Sequence, residues 1–223
     1  MFPWELFVRI KDATYTTSGD SVDWTVQVDD ADKRVYLLFE ESRGKRDWIN
    51  NLNIFVKIYK HLPKKLYKQQ ESSIKAARGW GDAWKSCNDE VMEALIKARQ
   101  EHPDYAVYIA GWSYGGAMTV LAAEDYHYRT GEKPFIVTFG APKPLFSGPC
   151  QEYVRSCIAA AWQWSNNNDC VCAMPPFPGY HRINTMECGD RFNLIKWFKP
   201  GIYHCMYGDK SIYPGTDDIK VKC

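Results

Sequence analysis

The chain has 223 residues, enough for a sizeable core, and is expected to form a single domain over residues 1–223. Its 28 Lys and Arg against 27 Asp and Glu give a formal net charge of +1 and a pI of about 7.5, so charge offers no reason to expect a nucleic-acid partner. The sequence has no run of about 18 apolar residues that would span a membrane. Its opening, MFPWELFVRIKDATYT, lacks a basic segment leading into an apolar one, so a cytoplasmic protein is expected, with export of a processed form left open.

In chain order, Trp24 to Val28 alternates apolar and polar residues, 29–32 is a polar turn and Val35 to Phe39 is a short apolar run. Together they predict an antiparallel hairpin. Asp47 to Tyr59 reads as helical or irregular and is broken by Pro63. Lys57 to Arg78 carries seven cations against Glu71 alone, and a solvated face is the favoured reading over contact with an anionic surface. Gly81 to Gln100 places Ala83, Trp84, Cys87, Val91, Ala94, Leu95 and Ala98 at helical spacing, and Pro103 stops that helix.

Tyr105 to Leu121, YAVYIAGWSYGGAMTVL, reads as a strand, a tight turn and a helix with a serine at the turn. Gly111-Trp112-Ser113-Tyr114-Gly115 fits the G-x-S-x-G pattern of a nucleophile elbow. A serine on so sharp a turn has close neighbours two residues to either side, which leaves little room there for a Cβ. The turn would lift the Ser113 hydroxyl above the strand end, where the opening helix offers amide donors. Gly116-Ala117 would let that helix lie close on the sheet. The helix ends at Gly131, a strand follows at Phe135 to Phe139, a short helix at Cys150 to Cys157 and a further strand at Ile158 to Trp164. This alternation, after a hairpin, predicts an α/β fold with a mostly parallel mixed sheet, an antiparallel edge and flanking helices.

Reactive groups of such sheets collect beyond the carboxyl ends of the parallel strands, so an acid and a histidine should follow Ser113 on later strand-end loops. Asp169 meets this for the acid, although an Asn/Asp turn explains 165–169 equally well on spacing alone. His61, His102 and His127 precede it and read as solvent-exposed. His181 and His204 both satisfy the order serine, acid, histidine, and the residues alone do not choose between them. Of eight cysteines most read as reduced thiols. Cys170-Val171-Cys172 is too tight for the usual metal or redox spacing, so no metal is expected.

Several motifs in order resemble the class 3 lipases, α/β-hydrolases typified by filamentous-fungal triacylglycerol lipases. The family's F-R-G-T-x-S-x-x-D-W-x-x-N-L is similar to Phe39 through Leu52, its H-x-G-F to 77–80 without the histidine, and its G-H-S-L-G-G-A to Gly111 through Ala117. Its T-F-G-x-P-R is similar to Thr138 through Lys143, its N-D-x-V-x-x-x-P-P to Asn168 through Pro176, and its G-Y-x-H and H-x-x-Y-F-G to the stretches at His181 and His204. The resemblance implies the α/β-hydrolase fold. It also implies a triad of Ser113, Asp169 and His204, with His181 structural, and an oxyanion site formed by the Ser42 amide and hydroxyl and the Tyr114 amide.

The same resemblance implies a lid over the site from Arg43 to about His61. Trp112 replaces the elbow's usual histidine, and Glu40 with Glu41 replaces the usual Arg-Gly ahead of Ser42. The activity implied is hydrolysis of acyl-lipid esters, acylglycerol first, by a monomer with no cofactor and with transient contact to a lipid surface. A phospholipase A1-type enzyme or a short-chain esterase is the alternative within that class. A catalytically weak lipase-like protein that binds lipid or a partner is the alternative outside it.

Overall fold

The structure, a computed structural model, describes residues 1–40, 56–59 and 74–214, without the side chains of 56–59 and 200. The hairpin forms as the alternation requires, from β2 (Val22–Asp29) and β3 (Arg34–Phe39), preceded by the short β1 (Thr16–Ser18). Parallel strands β6 (Ala106–Trp112), β7 (Phe135–Phe139), β9 (Ala160–Asn166) and β11 (Met186–Cys188) extend the sheet. The seven strands lie in the order β1-β2-β3-β6-β7-β9-β11, antiparallel up to β3 and parallel beyond it. The elbow strand β6 is the middle of the seven.

Helices cover both faces. Val35, Leu37 and Phe39 project to one face, against α2 (Arg78–Glu101) and α3 (Tyr114–Thr130). Tyr36 and Leu38, alternating with them, project to the other. The α2 helix buries Trp80, Ala83, Trp84, Cys87, Val91, Met92 and Leu95 at the expected spacing and leaves its charged side in water. In α3 burial is nearly all-round through Tyr126, as the apolar run from Ala117 anticipates, and Gly131 closes it in the left-handed conformation with its N–H on the His127 carbonyl at 2.8 Å.

The second face is covered by α1 (Pro3–Asp12), which the sequence reading passes over. Its signals are local: Pro3 in the first turn, Glu5 accepting from the Phe2 N–H at 2.9 Å, and Arg9 and Lys11 in the last turn. Leu6, Phe7 and Ile10 are its buried stripe. Phe7 sets its ring edge-on to Trp112 and Phe139, with centroids 5.2 and 5.4 Å away, and tilted on Tyr207 at 5.8 Å.

Three expectations change. Val56–Tyr59 is a strand, β4, antiparallel to β5 (Ile74–Ala77), where a helix or irregular chain was expected. With β5, β8 (Leu145–Phe146) and β10 (Tyr180–His181) it forms a second, four-stranded sheet, and the short helix α4 (Gly148–Ser156) follows β8. Strands of two to four residues carry too little periodicity to register, and they form only because each has a partner. His102 and His127 are half-buried at the ends of α2 and α3, His127 Nδ1 lying 3.0 Å from the Glu132 carbonyl, so neither is a free surface imidazole. His61, Ser42, Glu41 and nearly all of the expected lid lie outside the described residues.

Candidate active site

Ser113 stands where β6 gives way to α3, with φ 56° and ψ −123°, a strained backbone for a residue with a side chain. Its N–H donates to the Phe139 carbonyl at 2.9 Å, which fixes the turn to the end of β7. The glycines around it are sterically required. A Cβ on Gly111 would lie 2.3 Å from the Gly115 carbonyl oxygen, and one on Gly115 would lie 2.6 Å from the carbonyl oxygens of Phe39 and Glu40. The chain leaving β3 towards Ser42 therefore starts in contact with the first turn of the elbow helix. The Tyr114 amide, first of that helix, is one of the donors an α-helix leaves without an intrahelical partner.

Asp169 ends the turn after β9 and is fully buried, 3 % exposed. Asn166 and Asn168, which read as a polar turn, are buried too: the Asn168 N–H donates to Asn166 Oδ1 at 3.0 Å, and Asn168 Oδ1 accepts from the Asn193 N–H at 2.8 Å. Asp169 Oδ1 accepts the Val171 N–H at 3.0 Å. Its Oδ2 meets His204 Nδ1 at 2.7 Å, the Tyr207 hydroxyl at 2.8 Å and the Cys172 thiol at 3.5 Å. Burial pushes the Tyr207 hydroxyl well above the ordinary tyrosine range, so it keeps its proton and serves as a donor. Tyr207 and Cys172 are absent from the sequence reading as site residues; the tyrosine was visible only as a letter of the H-x-x-Y motif.

His204 is buried, with Nδ1 committed to Asp169 and Nε2 without a hydrogen-bond partner among the described residues. The structure thus joins Asp169 and His204 directly, with no hydrogen bond between Ser113 Oγ and Nε2. His181 lies instead on β10, paired across to Leu145 in the second sheet. The link from elbow to histidine runs through Trp112. Its indole N–H donates to the His204 carbonyl at 3.1 Å, and its ring lies 5.5 Å from the imidazole at 33°. The substitution of tryptophan for histidine at the elbow therefore has a visible structural use.

Gly140, at the end of β7 with φ +57°, leaves room for the acid–base pair. A Cβ there would lie 2.8 Å from Asp169 Oδ2 and 2.8 Å from His204 Nδ1. Gly140→Ala is expected to lower kcat on a soluble ester by about 10² or more, from a displacement of order 1 Å. It should also destabilise the fold, by about 1 kcal/mol or more for the positive φ alone. Steady-state kinetics with a urea melt checks both, and wild-type turnover in Gly140→Ala would show that the pair tolerates displacement.

The seven described cysteines are free thiols. Burial pushes Cys87 up to about 12 and Cys157 and Cys172 up to about 11, so these are poor nucleophiles at neutral pH.

A serine on a strand-to-helix elbow, with an Asp–His pair beyond later strand ends of a mixed sheet covered on both faces, defines the α/β-hydrolase fold. Residues 36–178 match the family model described as lipase (class 3), so the chain belongs to the class 3 lipase family. It is similar to a lipase of Rhizomucor miehei, 27% identical over 154 residues, covering 66% of this chain and 39% of that protein. It is also similar to a secreted mono- and diacylglycerol lipase 1 of Fusarium solani, 23% identical over 167 residues, covering 73% and 45%. The chain thus spans about two fifths of the length of these curated relatives.

Among solved structures it resembles a triacylglycerol lipase whose catalytic centre is formed by a serine protease triad, with a TM-score of 0.68 and 23% identity over 79% of this chain and 66% of that one. No helix among the described residues is long and apolar enough to cross a membrane. The cytoplasmic expectation is overturned, because the Fusarium solani relative is named as secreted. A leader is removed on export, so the lack of one in a sequence does not identify the compartment.

Proposed function

We propose that this chain is a serine carboxylic-ester hydrolase acting on acyl lipids, acylglycerols first. The observation that carries the reading is the buried Asp169–His204 pair at 2.7 Å beside a strained serine elbow. Ser113 Oγ attacks the ester carbonyl while His204 Nε2 takes its proton. The tetrahedral intermediate then collapses, and His204 returns that proton to the departing alcohol. Water attacks the acyl-serine with the same base, releasing the acid and regenerating Ser113. Asp169 holds the imidazole with Nε2 toward the serine and stabilises the imidazolium.

The Tyr114 amide, at the head of α3, suits a developing oxyanion. Ser42 is the second donor in this reading, supported by the family motif alone. The contact of Phe39 and Glu40 with Gly115 supports an oxyanion loop that begins beside the elbow. The names of the relatives support acylglycerol as the substrate class, with a phospholipid sn-1 ester or a short soluble ester as the alternatives.

Labelling with a fluorophosphonate tests the reaction class. Ser113 Oγ is expected to bond to phosphorus as fluoride leaves, its proton passing to His204, and the adduct should map to Ser113 by peptide mass. Hydrolysis of a panel of acyl esters of rising chain length then sets the substrate. A chain that takes up no label and hydrolyses no ester would be a lipase-like binding protein.

A further inference from the structure

Among the described residues large apolar side chains are mostly buried, with one concentrated exception. Five of the eight exposed large hydrophobics among the described residues fall within 192–202: Phe192 at 60%, Leu194 at 59%, Ile195 at 74%, Phe198 at 69% and Ile202 at 55%. They lie on and around two single-turn helices, α5 (Leu194–Trp197) and α6 (Pro200–Tyr203). A soluble surface seldom leaves so many contiguous apolar groups in water without a use for them.

The segment is held by hydrogen bonds at its start and ends at His204, which is itself held by Asp169 and by the Trp112 indole N–H on its carbonyl. Asn168 Nδ2 reaches the carbonyls of Asp190 and Arg191 at 3.4 Å, and Asn168 Oδ1 takes the Asn193 N–H. Asn193 Oδ1 in turn caps α5, accepting from Ile195 and Lys196 at 2.9 and 3.2 Å. Asn168 directly precedes Asp169, and the segment runs straight into His204. The exposed apolar residues are thus presented by a fixed loop whose two ends are the neighbours of the acid and the base.

The charge pattern says what covers them. Arg191, Lys196 and Lys199 are interleaved with the apolar residues, and from Arg191 to His204 there is no acidic residue. Lys196 is paired to Asp190 at 2.6 Å, while Arg191 and Lys199 are exposed and have no ion pair among the described residues, so they can meet an outside charge. Apolar groups interleaved with cations are the pattern of a segment lying in the interfacial region of an anionic bilayer, apolar groups among the acyl chains and cations at the headgroups.

We propose that residues 191–203 dock this chain on an anionic lipid surface, so that lipid is met at the mouth of the acid–base pair. This rests on the reading of the chain as an acyl-lipid hydrolase for its purpose, though not for its measurement. The test is co-sedimentation of the full chain with phosphatidylcholine vesicles made with or without phosphatidylglycerol. It compares the wild type, Ser113→Ala, the pair Ile195→Ser with Phe198→Ser, and the pair Arg191→Glu with Lys199→Glu. Wild type and Ser113→Ala should both bind, and better when phosphatidylglycerol is present. The apolar pair should lower binding to both vesicles about tenfold or more, and the charge pair should abolish the preference for phosphatidylglycerol.

Both surface pairs should keep the wild-type kcat/KM on a soluble ester, since neither touches the reacting atoms. If no ester is hydrolysed while vesicle binding follows this pattern, the hydrolase reading fails and the docking surface stands. Wild-type protein that stays in the supernatant, or an apolar pair that binds like wild type, overturns the proposal. A wild type that is dimeric without lipid and made monomeric by the apolar pair also overturns it, because the surface would then belong to a second copy of the chain.

Discussion

Ser113→Ala is expected to lower kcat on a soluble ester by about 10⁴ or more while the chain stays folded. Ser113 makes its structural contacts through the backbone: its N–H holds the Phe139 carbonyl and its carbonyl accepts from the Gly116 N–H at 3.0 Å. Alanine keeps both and removes the nucleophile alone. A companion variant separates strain from chemistry. At φ 56° a residue with a Cβ carries strain of about 1–3 kcal/mol, which Ser113→Gly relieves at an unfolded-state cost of about 0.5–1 kcal/mol. Ser113→Gly should therefore be at least as stable as Ser113→Ala and equally inactive. Urea melts and initial rates on one ester decide this, and near wild-type turnover in either variant would remove Ser113 from the chemistry.

Asp169→Asn should cost about 10³–10⁴ in kcat, close to the effect of His204→Ala. The groups facing Asp169 are donors: the Val171 N–H on Oδ1, and the Tyr207 hydroxyl and His204 Nδ1 on Oδ2. An ionised carboxylate accepts on both sides. An asparagine must turn its NH₂ either to the Val171 N–H or to Tyr207 and His204, and either choice sets donor against donor. The first leaves a buried N–H unpaired; the second turns the imidazole or drives it to the wrong tautomer. A stability loss of about 1–3 kcal/mol should accompany the loss of rate. Combining Asp169→Asn with Ser113→Ala should add little further loss of rate, because the groups act as a unit. By contrast His181→Ala, on a two-residue strand of the second sheet, is expected to lower stability and spare kcat. Full activity in His204→Ala with loss in His181→Ala would transfer the base to His181.

What could be read from the sequence follows the range of the interactions. The β2–β3 hairpin, β6, α2, α3 and β7 each state their period over enough residues to be seen locally, and the elbow adds glycines whose purpose is steric and short-range. Ser113 follows from the elbow pattern, whereas Asp169 has a suitable place after a strand that a plain Asn/Asp turn would explain equally well. His204 did not separate from His181 by spacing, and the family motif was needed to prefer it. Asn168 looked like turn chemistry because its partners, at 190–193, lie more than twenty residues away. Tyr207 and Trp112 announce no role locally, since their hydrogen bonds to Asp169 and to the His204 carbonyl exist only after the strand ends converge. The second sheet is hidden for the same reason, its short strands being defined by pairing and not by pattern.

The position of α1 has a practical consequence for anyone dividing this chain. The family match covers 36–178, which includes the elbow and the acid but neither the first 35 residues nor anything after 178. A fragment cut to those limits would lack the imidazole and Tyr207. It would also lose Phe7, whose ring covers Trp112 and Phe139 from beneath. The two sequence extremes of the described chain meet under the sheet, where Phe7 packs on Tyr207, so under the proposed mechanism the part most easily recognised by kinship is expected to be inactive by itself.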